Sequence, residues 1–544
     1  MYVRRLLQTG PADALRGALL VTCLAGLANA ALIGLINEVA ERAALGRPTG
    51  GKLLALYILL FLVFYIANRA SVQEANRYVQ RRLGDLRLRL ADKIRRADLR
   101  ALERLGQGEL YAVVAQETAQ LAQTFPLLVS AGQSVFLLLF LLLYIATLSL
   151  ISFAVVAGFI AVGLYGFWRR RQVLSRAMVE VHDHEARMLD SLGHYAEGFQ
   201  EIRLNADKND ALHQHFTGVA EGLRTAVVGV GDKWVGMLQF SNAFLYALVG
   251  VVIFVLPLFF SGYTGVIYKI VAAAIFCLGP VTALTAVSRL YDRADVGLGH
   301  VFRLEQRLNE GLAESGGEAE TDLARYRGLS GIELRGIRFD YREADGAVSF
   351  RSGPWDLDLR RGEIVFLVGG NGSGKSTAMK LICGLYTPDA GEIRVDGEPV
   401  AAGTRQAYRE LFSAVFADFH LFQRLHGLED ADPARVDALI RRMGLAEKVR
   451  FADGCFSTLE LSTGQRKRLA MIVALLEDRD CYLFDEWAAD QDAHFRDIFY
   501  RELLPELKAR GKIVVAVTHD DRYWSCCDRR LVLDLGRMRP AEAR

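Results

Sequence analysis

At 544 residues the chain is too long for one hydrophobic core, so two or more domains are expected. A formal net charge of +2 is no signature of a nucleic-acid binder, and a hydrophobic content of 52% is high for a soluble enzyme of this length. The seven cysteines show no metal-ligand spacing and no framework of pairs, which excludes a disulfide scaffold and fits a reducing compartment facing most of the chain.

The apolar excess lies mostly before residue 290. The opening MYVRRLLQTGPADALRG is basic, but the apolar run behind it is too long for a leader and has no small-residue cleavage site, so it reads as an uncleaved first span. A membrane helix needs roughly 20 mostly apolar residues. Gly17 to Asn37 carries no charge, and Leu53 to Asn68 can be extended by neutral flanks. Residues 118–168 contain no Asp, Glu, Lys or Arg and hold two spans, with a turn near Ala146-Thr147-Leu148. Trp234 to Tyr268 and Ile270 to Ser288 supply two more, turning near Ser261-Gly262-Tyr263. Six spans result.

Orientation follows from the loops. Arg69 to Arg104 holds eleven basic residues against five acidic ones, and the loop after the fourth span opens with WRRRQ (168–172), which reads as an interface anchor. The turns between spans three and four and between five and six are uncharged, so both long loops and both termini are expected in the cytoplasm. DLRLRLADKIRRADLRALERLG and HDHEARMLDSLGHYAEGF have helical period, so the membrane helices should continue into the cytosol. Lys269 near the outer end of the sixth span is expected to snorkel to the interface, with a substrate-lining wall as the alternative. Pro280 is expected to kink that span.

Residues 310–328 are polar and Gly-containing and read as a linker between a membrane domain (1–309) and a second domain (329–544). There, short strand-like runs (GIELRGIRFDY, EIVFLVG, YLFDE, KIVVAVT) alternate with helical stretches, the pattern of an α/β domain with a largely parallel sheet. EIVFLVGGNGSGKSTAMKLICGL gives G-x-x-x-x-G-K-S from Gly369 to Ser376 between an apolar strand and a helix, the context a phosphate loop requires. Backbone N–H groups of Gly369, Gly370, Asn371, Gly372, Ser373 and Gly374, with Thr377 behind them, would converge on the β- and γ-phosphates of ATP. Lys375 reaches the phosphates, and Ser376 offers its hydroxyl to Mg²⁺.

CYLFDEWAADQD (481–492) ends an apolar strand on two adjacent carboxylates, an arrangement that calls for a cation. Asp485 would hold Mg²⁺ through water, and Glu486, on the other side of the strand, would activate the attacking water. LSTGQRKRLA (461–470) lies upstream, with Ser462 and Gly464 opening a helix whose N-terminus can face a phosphate.

L-S-x-G-Q ahead of an Asp-Glu strand end is similar to the signature of ATP-binding cassette (ABC) ATPases. The resemblance implies that Ser462, Thr463, Gly464 and Gln465 contact ATP held by another subunit, with Thr463 in place of a usual glycine. It also implies that Tyr341 stacks on adenine, that His519 is the switch histidine near the γ-phosphate, and that Asp492 closes the loop after the catalytic strand. In SAVFADFHLF the family's metal-lining Gln falls at Ala417, with Asp418 beside it as a substitute ligand for Mg²⁺ or water.

Six spans ahead of one cassette resemble a half-size ABC exporter over essentially the whole chain. The fold expected is therefore an all-α six-span membrane domain followed by an α/β P-loop ABC ATPase domain. Gly108-Glu109-Leu110 resembles the first coupling helix, and Glu197, Gly198 and Ile202 the second. One phosphate loop and one signature per chain imply a homodimer. VGGNGSGKST, FSAVFADFHLF, LSTGQRKR and DEWAADQD together are similar to the bacterial cyclic-peptide and siderophore exporter subfamily (pyoverdine-type, syringomycin-type and microcin-linked), and Trp487 replaces the small residue usual after the catalytic Glu. The implied activity is ATP-driven export of a peptide-like small molecule across a bacterial inner membrane, with no nucleic-acid partner. A lipid or hydrophobic-drug translocator and a non-transporting membrane ATPase are the alternatives.

Overall fold

The computed structural model describes residues 2–8, 12–44, 46–48, 50–105, 110–255, 267–314, 322–342 and 347–541. The chain divides into two compact units, one formed by Met1–Ala91 and Gly108–Leu304, the other by Asp92–Gln107 and Glu305–Arg544.

In the first unit six helices are long and apolar enough to cross a membrane: Leu20–Ala43, Gly51–Arg96, Val113–Leu148, Leu150–Arg170, Ala206–Val255 and Tyr268–Gly311. Each expected span overlaps one of them, although the fifth was expected to run to Tyr268 and its helix is described only as far as Val255. The helices Gly51–Arg96, Leu150–Glu197 and Ala206–Gly250 run 46, 48 and 45 residues. At 1.5 Å per residue each is about 70 Å long, more than twice the hydrocarbon thickness of roughly 30 Å. The polar, helical-period segments therefore do continue the spans.

Local chemistry sets the breaks. Ser149 adopts an extended conformation, and its side chain accepts from the Ser152 N–H at 3.2 Å, so the third and fourth spans are joined through a single residue. Gly198 ends the fourth long helix and opens a one-turn helix, Phe199–Arg203, with Ile202 buried. Asn205 Oδ1 then accepts from the Lys208 N–H at 3.0 Å and caps the fifth helix. This turn carries the second segment that resembles a coupling helix. Gly108-Glu109 of the first, the turn at 261–263, and 315–321 of the linker lie outside the described residues. The start of the linker is helical, since the helix Leu278–Glu314 extends through it.

The break in the sixth span lies at Cys277, ahead of Pro280, because Pro280 has no N–H for the carbonyl four residues back. Lys269 is held by ion pairs. Its Nζ lies 2.9 Å from Glu38 and 2.6 Å from Glu41, and Asn37 donates to the Lys269 carbonyl at 3.0 Å. The first and sixth spans are thus clamped at one end by charge and packed below it around Leu141, Ile145, Val156, Leu248 and Ile270. The second span buries almost nothing: Leu54, Ile58, Leu59, Leu62 and Ile66 are all exposed on this chain.

The second unit begins with β1 (Gly331–Arg342) and β2 (Val348–Arg360), followed by β3 (Ile364–Val368). Next come β4 (Ala390–Val395), β5 (Glu398–Pro399), β6 (Phe412–Val415), and the short pair β7 (Phe451–Ala452) and β8 (Cys455–Phe456). Then follow β9 (Cys481–Asp485), β10 (Ile513–Val517), β11 (Arg529–Asp534) and β12 (Arg537–Pro540). One sheet has the order β12-β11-β3-β10-β9-β6, parallel except for β12. Its central strands β3, β9 and β10 are buried at every residue, the pattern of a sheet covered on both faces. A second sheet, β2-β1-β4-β5, is antiparallel and was not foreseen from the alternating pattern.

The expected continuous helix through ADKIRRADLRALERLG is broken at Ala97. Asp98 is buried and accepts from the Arg100 N–H at 3.2 Å, opening a separate helix, Leu99–Leu105. That helix belongs to the second unit. Arg100 donates to Asp389 and to the Asp340 carbonyl, both at 2.9 Å, while Glu103 takes Lys380 Nζ at 2.9 Å and the Tyr386 hydroxyl.

Candidate functional site

β3 delivers the chain to the phosphate loop, and the helix Lys375–Ile382 leaves it. The turn requires Gly374, whose φ of 101° places it in the left-handed region and whose missing Cβ would lie 3.1 Å from the Phe350 ring. Lys375 is 6% exposed, and its Nζ donates to the carbonyls of Gly369 (3.1 Å) and Gly370 (3.0 Å) and lies 3.8 Å from Glu486. Ser373 Oγ is buried with no hydrogen-bond partner. A buried orphan hydroxyl inside a glycine-rich loop that opens a helix fits a phosphate oxygen. Gly370, Asn371 and Gly372 form the exposed rim of the loop, and Thr377 lies behind it.

The parallel register of β9 and β10 sets Asp485 opposite Val517. It thereby brings Glu486 and His519, each just past its strand, to 3.1 Å between Glu486 Oε1 and His519 Nε2. Glu486 itself is left-handed, with φ 50° and ψ 37°, a backbone that costs a non-glycine residue about 1 kcal/mol. Asp485 is 2% exposed. Burial pushes its carboxyl above the usual carboxylate range, helped by the charges of Glu486 and Asp418, while the Ser376 hydroxyl and Lys375 oppose the shift. The two carboxylates of the opening motif are therefore split as alternation requires: Asp485 faces the phosphate-loop serine and Glu486 faces the histidine.

Among the described residues no three His, Cys, Asp or Glu side chains form a metal cage. One buried carboxylate beside one hydroxyl, with the exposed Asp418 nearby, is the donor set of a cation that brings phosphates and waters as further ligands, which fits Mg²⁺.

Tyr341 is half-buried at the end of β1. Its hydroxyl donates to the Tyr386 hydroxyl at 3.1 Å and lies 3.3 Å from Thr377 Oγ1, so the ring is tied to the phosphate-loop helix. Tyr386 was not singled out from sequence; only its contact with Tyr341 and Glu103 reveals it.

Ser462 caps the 15-residue helix Thr463–Glu477 reciprocally with Gln465: the Ser462 N–H donates to Gln465 Oε1 at 3.2 Å and the Gln465 N–H to Ser462 Oγ at 3.4 Å. Thr463 is exposed on the first turn. Gly464 is needed for a reason within the chain, since a Cβ there would meet the Asp490 carbonyl at 2.6 Å. Gln491 Nε2 donates to the Gly464 carbonyl at 3.0 Å, and Asp492 caps the following helix through the Phe495 N–H at 3.0 Å. The signature turn and the loop after β9 are thus packed against each other. Lys467 and Gln491, which make this contact, were missed; the only signal in the sequence was the unexplained Trp487.

A cleft of about 300 Å³ opens beside Glu486 and His519, lined also by Arg496, Thr518, Asp520 and Asp521. A phosphate loop, a strand-end carboxylate pair with its histidine, and a capped signature turn, on a chain with six membrane-length helices, define an ATP-hydrolysing membrane transporter with the fold of a half-size exporter.

The comparisons agree. Residues 353–489 match the ABC transporter family. The chain is 31% identical over 529 residues to the ATP-binding protein SyrD of Pseudomonas syringae pv. syringae, covering 95% of this chain and 92% of that one. It is 33% identical over 224 residues to the macrolide export ATP-binding/permease protein MacB 1/2 of Paracoccus denitrificans, covering 38% of this chain and only 32% of that one. A solved structure of a bacterial Atm1-family ABC exporter with ATP bound shares the fold, with a TM-score of 0.77 and 18% identity over 97% of this chain and 94% of that one. The chain belongs to the ABC transporter family: it is a membrane protein that binds ATP and couples its hydrolysis to transport.

Proposed function

We propose that the chain forms a homodimer in a bacterial inner membrane, with its cassettes and termini in the cytoplasm, and exports a cyclic peptide, siderophore precursor or related peptide. The observation that carries this reading is the match to SyrD, which runs through both units, whereas the MacB match is confined to 224 residues. The strings FSAVFADFHLF and DEWAADQD support the same subfamily. The basic excess of Arg69 to Arg104 supports a cytoplasmic cassette. A second span with little packing on its own chain supports a partner subunit or lipid against Leu54, Ile58 and Leu62.

In this reading each ATP lies between Gly369–Thr377 of one chain and Ser462–Gln465 of the other. Lys375 leaves the loop carbonyls for the β- and γ-phosphates, Ser373 donates its orphan hydroxyl, and Tyr341 stacks on adenine. Ser376, Asp485 and Asp418 would hold Mg²⁺, which supplies charge neutralisation at the phosphates. Glu486 accepts the proton of the attacking water, and His519, 3.1 Å away, fixes that carboxylate. Closing the two cassettes turns a cavity that faces inward toward the outside, and hydrolysis resets it. Transport is coupled only if the cargo binds the two states with different affinity.

The test is ATP turnover of the purified protein in lipid nanodiscs across cyclic peptides, siderophore precursors, lipids and cationic drugs. Stimulation by a cyclic peptide or siderophore precursor is expected. A response confined to lipids or drugs would replace this cargo with that of a lipid or drug translocator.

A further inference from the structure

Glu486 has a backbone that no neighbouring glycine relieves, and a tryptophan follows it. The structure shows what holds both. Lys467, on the second turn of the signature helix and only 4% exposed, donates from Nζ to the Glu486 carbonyl at 2.8 Å and pairs with Asp490 at 2.7 Å. Trp487, 1% exposed, donates its indole N–H to the Lys467 carbonyl at 2.8 Å and stacks on Phe499 at 4.7 Å between ring centroids. The contact is reciprocal: the side chain of each residue binds the backbone of the other's segment. It joins the contact of Gln491 with the Gly464 carbonyl, so the signature turn and the strand end bearing Glu486 meet at two levels.

We propose that Lys467 and Trp487 are positioning residues for ATP hydrolysis, fixing the peptide of Glu486 so that its carboxylate stays on His519, and that they carry the engagement of a chain's signature turn to that chain's own Glu486. The inference rests on the reading of Glu486 as the general base. A desolvated ammonium fits this use, because its hydrogen bond to a carbonyl in a water-poor site resists rotation of the left-handed peptide. Neither residue touches nucleotide, water or metal in this scheme. In a dimer whose signature turns each serve the opposite ATP, this contact links the two sites through one chain.

The experiment is steady-state ATP turnover of the full chain in nanodiscs for Lys467→Met, Lys467→Arg and Trp487→Phe, each also in a Glu486→Gln background. Expected for Lys467→Met is a kcat reduced about tenfold or more, a KM for ATP within about twofold of wild type, and a Hill coefficient closer to one. Lys467→Arg, which keeps a donor for both partners, should recover part of the loss. Trp487→Phe keeps the ring stack and loses only the N–H, so a smaller, several-fold fall in kcat is expected even if Lys467→Met folds poorly. In the Glu486→Gln background neither change should lower the residual rate further. A kcat within twofold of wild type in Lys467→Met and Trp487→Phe, while Glu486→Gln is inactive, would overturn the proposal, as would KM, kcat and thermal midpoint falling together. Turnover that survives Glu486→Gln would instead remove the reading of Glu486 beneath it.

Discussion

Asp485 and Asp340 are both inaccessible carboxylates, and their surroundings drive them in opposite directions. Burial raises the pKa of Asp485, so the folded protein binds a proton there more tightly than the unfolded chain does. Stability from this group is full below the ordinary carboxylate range and is lost as pH rises through the raised folded value. Asp340 is held far below that range by Arg338 and Arg351, whose guanidinium groups lie 2.8 Å from it. Its contribution is present above the ordinary range and is lost as pH falls through the folded value. Asp485→Asn is therefore expected to raise the thermal midpoint by a few degrees at neutral pH without Mg²⁺, and Asp340→Asn to lower it. Differential scanning of each variant against wild type across pH checks both signs: the Asp485 difference should vanish on acidification, and so should that of Asp340, from the other side. For Glu486→Gln the expectation is a kcat reduced roughly 10²–10⁴-fold with ATP affinity retained, measured by turnover and by nucleotide binding.

Among the elements, the short helix Leu99–Leu105 is the least expected, and its position has a kinetic consequence. Tyr341 donates to Tyr386, and Tyr386 donates to Glu103 on that helix, a chain of hydroxyls in which each bond polarises the next. Removing its end weakens the bond that Tyr386 accepts from Tyr341 and so loosens the Tyr341 ring. Glu103→Ala is thus expected to raise the KM for ATP a few-fold while kcat changes little, read from an ATP titration of turnover; a change in kcat alone would contradict the link. The sequence around this helix showed only an uninterrupted helical period, because Asp98 as a cap and Arg100 on Asp389 are contacts with residues remote in the chain. The phosphate loop and the Ser462–Gln465 cap were legible because their chemistry is local: fixed glycine spacing in one, a three-residue reciprocal bond in the other. Lys467 was not, since its partners Glu486 and Asp490 reach it only through the fold. The β2-β1-β4-β5 sheet escaped for the same reason, its pairing being antiparallel within a domain whose strand and helix alternation announces a parallel sheet.

At the scale of the whole molecule, hydropathy alone placed six spans, since a bilayer demands unbroken apolar length whatever the packing. It did not place what joins them: the clamp of Lys269 on Glu38 and Glu41 depends on two helices far apart in sequence meeting at one level. The same limit applies to the cargo, which is read by side chains that no spacing marks. The central claim is that ATP hydrolysed at Glu486 drives a peptide outward, and transport tests it most directly. Inverted membrane vesicles containing the protein, given ATP and a labelled cyclic lipopeptide, should accumulate the peptide in their lumen, and vesicles with Glu486→Gln should not. Equal accumulation in the two, or none in the wild type with any cyclic peptide or siderophore precursor that stimulates its turnover, would contradict the account.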